Sequence, residues 1–172
     1  MQYIQDTQSR FYAENGGKNL LFKKSQKFQC AETVCAQIPL DSLMSQTFWI
    51  VPDKNHVYFE YPFFKLYAHP GNFAQIVDRV IEMCMHCKIT YGTFSLHINF
   101  DGFTISAAER YAPLVSLFSR VCELRCTGFT PVIECLTLYN VSSTMDHISA
   151  MLLPLIPPEM KHKIRTVAKI YS

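Results

Sequence analysis

The sequence predicts an α/β protein with a largely parallel sheet and flanking helices, ordered strand, helix, strand, helix, strand, helix, strand from residue 57 onward. A β-hairpin and an N-terminal arm precede that series. Three observations carry the prediction. Short β-branched and aromatic runs alternate with segments whose apolar residues recur at three- and four-residue steps. Clusters of Pro, Gly, Asn and Asp separate them. The 172 residues are 49% hydrophobic, with 13 Phe and 9 Tyr but only 6 Gly, which supplies the side-chain volume for one packed core and one domain.

Residues 1–45 are polar and mixed, with Gly16-Gly17, the basic run Lys18, Lys23, Lys24 and Lys27, and no sustained apolar period. They read as an arm ahead of a single domain over 46–172. Leu20, Leu21, Phe22 and Phe28 interleave with the lysines. That mixture suits an anionic membrane surface or the acidic face of a protein partner, and it equally suits a solvated, loosely packed arm.

Thr47–Val51 is strand-like, Pro52–His56 is turn chemistry, and Val57–Tyr67 is again aromatic and β-branched, which predicts the hairpin. Pro62 has no N–H to donate, so the second strand lies at an edge or is interrupted there. Asn72 is placed to cap a helix over 73–88, where Phe73, Ile76, Val77, Val80, Ile81, Cys84 and Cys87 share one face. Phe94–Phe100 is a strand closed by Asp101-Gly102. Ser106 and Glu109 have capping-box spacing for a helix running to about Arg125, kinked or divided at Pro113 and stopped near Gly128. Val132–Tyr139 is the next strand, and Ser142 or Ser143 caps a helix to about Leu153. Pro154, Pro157 and Pro158 lead into a short helix over 159–164 and a last strand over 166–171.

Composition excludes several function classes. Sixteen Lys and Arg against fourteen Asp and Glu give a net charge of +2, too little to concentrate a nucleic-acid-binding field. No apolar run has the roughly 20 residues of a transmembrane helix, and the polar start is unlike a signal peptide, so the expected location is intracellular, in the cytoplasm, with a virion or a membrane periphery as further settings. The seven Cys are irregularly spaced and read as mostly reduced.

No Gly-rich phosphate loop and no Gly-x-Ser-x-Gly elbow occurs, so no cofactor and no hydrolase nucleophile are expected. Cys84 and Cys87 close a helix instead of opening one, where the dipole opposes a thiolate. With Cys122 and Cys126 they make a four-thiol zinc set, or else four small buried hydrophobes; no metal is expected. His97 and Asn99 share one strand face, with Ser95, Asp101 and Glu109 as the nearest candidates for acid-base partnership. A hydrogen-bonded structural histidine accounts for the same pattern, and the sequence reads as non-enzymatic.

From about Phe94 to Tyr171, under half of the chain, the sequence resembles the CRAL-TRIO lipid-exchange family. The matching pieces are a strand ending Asn99-Phe-Asp-Gly-Phe103, a Ser-started helix from Ser106, and a strand reaching Leu138-Tyr-Asn140. Met145–Ile156 follows in the place of that family's gate helix, and Pro158–Ile164 precedes the last strand. The resemblance implies a non-enzymatic module that binds a lipid or other apolar ligand between sheet and gate, with Met145, Ile148, Met151, Leu152, Leu155 and Ile156 as the ligand wall. Lys163, in its Lys-Ile step, stands in the place of a residue that holds inositol-lipid headgroups in some members, and His97 and Asn99 are added as candidate ligand contacts. The topology also resembles STAS-type interaction modules and reduced domains found in large DNA viruses. The alternative function is therefore a structural protein that docks through the same fold in a large assembly such as a virus particle.

Overall fold

The computed structural model describes residues 2–15, 23–125 and 129–168. It is α/β, with one five-stranded sheet in the order β1-β2-β3-β4-β5. The strands are β1 Phe48–Ile50, β2 His56–Glu60, β3 Phe94–Asn99, β4 Ile133–Val141 and β5 Ile164–Ala168. β1 runs antiparallel to β2, and the remaining pairs are parallel.

The helices are α1 Gln2–Asn15, α2 Lys23–Gln37, α3 Leu40–Thr47, α4 Tyr61–Phe64, α5 Phe73–Tyr91, α6 Ile105–Arg125, α7 Phe129–Val132, α8 Met145–Leu152 and α9 Pro158–Lys161. Single 3-10 turns follow at Pro70–Asn72 and Leu153–Leu155.

The segment expected to be an arm forms α1, α2 and the start of α3 where it is described, with a break at Ile38 and Pro39. Ile4, Val34, Leu43 and Met44 are buried in the main core, and Phe28 packs edge-on against Phe73 and Tyr111. The physical reason is a stripe of small and medium apolar residues, Cys30, Ala31 and Val34, at helical spacing on α2. Gly16, Gly17, Lys18, Leu20, Leu21 and Phe22 lie outside the described residues, as do Cys126, Gly128 and Tyr171.

β2 ends at Glu60 and not at Tyr67, because Pro62 has the fixed φ that suits the first turn of α4. Asn72 precedes α5 without capping it. Its Oδ1 accepts from the His69 amide at 3.1 Å, and its Nδ2 donates to the Tyr67 carbonyl at 3.0 Å, so its side chain closes the loop behind the helix. Gly92, at φ 81°, ends α5 in the left-handed conformation. The start of α6 is held by Thr104 in place of Ser106: the Thr104 hydroxyl accepts from the Ala107 amide at 3.3 Å. α6 then continues unbroken through Pro113, and Thr144, not Ser142 or Ser143, precedes α8.

Pleat alternation divides the sheet into two chemically distinct faces. Val57, Leu96, Leu136 and Ile164 stand in one register row, and Phe59, Ile98, Leu138 and Thr166 in the next. This apolar face meets the helices. The intervening row, Tyr58, His97, Thr137 and Arg165, faces the other way.

Candidate functional site: an apolar cavity under the sheet

Between the apolar sheet face and helices α5, α6 and α8 lies a cavity of about 310 Å³. Phe59, Leu96, Ile98, Leu136 and Leu138 form its floor, while Val80, Cys84, Phe118, Ile148 and Leu152 close it from the helices. No Asp, Glu, Lys or Arg lines it, and its hydroxyls are those of Ser119, Thr130, Ser149 and Thr166. Ser119 is itself engaged, donating to the Leu155 carbonyl at 2.7 Å, which fastens the turn after α8 to α6. Well-packed interiors leave few voids larger than a water molecule, so an apolar space of this size is more than ordinary packing leaves.

The residues expected at the site divide into three groups. Met145, Ile148, Leu152 and Ile156 line the cavity. Met151 packs against the core beside it, and Leu155 contributes its carbonyl to Ser119, so neither side chain lines the space. Lys163 lies away from the lining, with its ammonium donating to the carbonyls of Thr130 and Ile133 at 2.6 and 2.7 Å.

His97 and Asn99 belong to the third group. His97 is also among the residues that border the cavity, but its ring turns to the opposite sheet face, where it stacks on Tyr58 at 4.6 Å and 11°. Its Nδ1 is 3.0 Å from the Tyr139 hydroxyl, and its Nε2 is buried without a hydrogen-bond partner. Burial, and then the neighbouring His56, hold the imidazole below its usual pKa. Asn99 donates to Glu60 at 2.7 Å and accepts from Asn140 and from the Asp101 amide, both at 2.9 Å. His97 and Asn99 thus share a face, as the strand periodicity requires, but serve separate partners.

The same face carries Glu134, turned toward β3 by a register shift in β4 between the Phe94 and Leu96 pairings. Hydrogen bonds from Thr93, at 2.7 Å, and from Ser95, at 3.1 Å, hold its carboxyl below the usual range.

The cavity contributions of α5 and α6 are absent from the expected site. Their signal was present in the sequence as the apolar faces of two long helices, which periodicity alone assigns to a core and not to a pocket. Among the described residues no three His, Cys, Asp or Glu side chains gather as metal ligands. Burial raises the Cys87 thiol pKa, as expected of a small hydrophobe. Among the described residues no helix is long and apolar enough to cross a membrane. No protein-family model and no curated protein matches this sequence.

Proposed function

We propose that the protein binds a single apolar chain, such as the acyl chain of a lipid, between its sheet and α8, without catalysing a reaction, in the manner of the CRAL-TRIO domains it resembles. The observation that carries this reading is the uncharged 310 Å³ cavity beside α8. At about the 30 Å³ that a water occupies in the liquid, this space accommodates roughly ten methylene-sized groups. Burying ten methylenes at about 0.8 kcal/mol each gives a gross gain near 8 kcal/mol, from which association costs of several kcal/mol are subtracted. The strand-helix alternation from residue 57, with the hairpin before it, is the arrangement in which such a ligand would sit under the sheet of an intracellular carrier.

Mass spectrometry of the natively purified protein, under gentle conditions and again after organic extraction, tests the reading. A co-purifying lipid near one per chain supports it. Leu152→Trp, which fills the cavity from α8, is expected to abolish uptake of a ten-carbon fatty acid while leaving the circular dichroism spectrum intact. Uptake by the filled variant equal to wild type would overturn the assignment. The second reading, a docking module in a larger assembly, is favoured by the opposite face of the sheet, which no helix covers among the described residues.

A further inference from the structure

That opposite face is unusual for a sheet of this kind. Parallel sheets are normally covered on both sides, yet here α4, α5, α6, α8 and α9 all supply residues to the cavity side or its core. The ring contacts and side-chain hydrogen bonds of the other face run between strands. It is not dressed for water either: Trp49 is 37% exposed and Val167 43%, with Tyr58 and Tyr139 half-buried between them.

We infer that this face pairs with the same face of a second copy of the chain. The argument rests on register. Trp49, Tyr58, His97, Thr137 and Arg165 stand side by side across β1 to β5, one residue per strand, with His97 at the centre. A two-fold axis running along β3 therefore lays Arg165 of one copy over Trp49 of the other, and Thr137 over Tyr58. In the adjacent row, Glu60, Asn99 and Tyr139 bring the Tyr139 hydroxyl of one copy to the Glu60 carboxylate of the other.

Charge and ring chemistry match under that operation. Arg165 is exposed and has no ion pair or hydrogen bond among the described residues, and in the pair it comes over the outward edge of Trp49, with the Glu60 carboxylate one strand and one row away. Isologous contacts require this self-complementarity. Five strands about 4.8 Å apart, with strand lengths averaging some six residues, give a footprint of roughly 400–500 Å² per copy, which is at the low end for specific contacts and predicts a reversible dimer.

A nucleic acid suits the face less well. Trp49 and Tyr58 stack at 5.5 Å and 9°, Tyr58 and His97 at 4.6 Å and 11°, and His97 and Tyr139 at 5.8 Å and 21°. The rings spend their flat faces on one another and turn their edges outward, whereas base stacking needs exposed ring faces.

Sedimentation equilibrium of the full chain from about 1 to 200 μM tests the inference, with a dissociation constant expected in the micromolar range. Arg165→Glu and Trp49→Ala are each expected to weaken the dimer by at least roughly tenfold with an unchanged circular dichroism spectrum. Ile89→Ser, on the helical side where Ile89 is 79% exposed, is expected to leave it unchanged. A wild-type monomer throughout the range would overturn the inference. So would a dimer that responds to Ile89→Ser but not to Arg165→Glu, or a monomer that binds single-stranded RNA through Trp49.

Discussion

Lys163 joins the start of β5 to the start of β4 by donating to the carbonyls of Thr130 and Ile133. Lys163→Met removes a charged donor from the carbonyls of half-buried Thr130 and buried Ile133, which should cost about 1–3 kcal/mol of unfolding free energy in a denaturant titration. Because Lys163 does not line the cavity, fatty-acid uptake by the folded variant should match wild type; a selective loss of uptake would restore the headgroup role that the Lys163-Ile164 step suggests. His97 gives a pH signature. Its folded pKa lies below the ordinary 6.5, chiefly through burial and secondarily through His56, and that of His69 is lowered by burial against a smaller opposing effect of Glu32. A depressed imidazole leaves stability intact above 6.5 and removes it as the pH falls from there toward the folded pKa, because the unfolded chain binds the proton more tightly. The melting temperature should therefore decline between about pH 7 and 5. His97→Phe, which preserves a ring against Tyr58, should flatten that decline, and an unchanged slope would assign the effect elsewhere.

At the scale of elements, legibility followed the strength of the apolar pattern. α5 could be read because Phe73, Ile76, Val77, Ile81 and Cys84 are large or strongly apolar at helical steps, and all of them are buried. α2 hid because its buried stripe is made of Cys30, Ala31 and Val34, small residues scattered among lysines and glutamines whose hydrophobic contrast is low. α4 hid for another reason: Tyr61 and Phe64 look like strand residues, and only the fixed φ of Pro62 decides for a helical turn. The cavity was half legible, since α8 showed a one-sided apolar face, but whether such a face packs against neighbours or borders a void depends on distances between elements that no single segment encodes. The buried positions of α2 lead to a prediction. Val34→Ala should cost about 2 kcal/mol in chemical denaturation, from two methyl groups and the space they leave. Removing residues 1–45 deletes Ile4, Val34, Leu43 and Met44 from the core and should abolish the cooperative melt; a truncated chain that melts like wild type would return the segment to the status of an arm.

For the whole molecule, the two faces of one sheet divide the work. The helix side holds the apolar volume, and the outer side holds a row that is ringed on β1 to β3, at Trp49, Tyr58 and His97, and polar on β4 and β5, at Thr137 and Arg165. This division follows from strict alternation along β3, where Phe94, Leu96 and Ile98 oppose Ser95, His97 and Asn99, and the sequence displays it openly. The two-fold relation does not appear in any one strand, because it depends on which residue of β1 stands level with which residue of β5. That register is set by the turns and by the irregularities in β4, including Asn140 at φ 56°.

The strand order β1-β2-β3-β4-β5 also bears on how the chain reaches its native state. Every strand pairs with the one that precedes it in the sequence, so none has to be threaded between two that are already joined. Each pairing closes a loop of modest length, and the entropy lost at each closure is small compared with folds that bring distant strands to the centre of a sheet. The sheet can therefore grow outward from the antiparallel β1–β2 pair during synthesis, and β5, the last of the described strands, joins at an edge that is open to receive it.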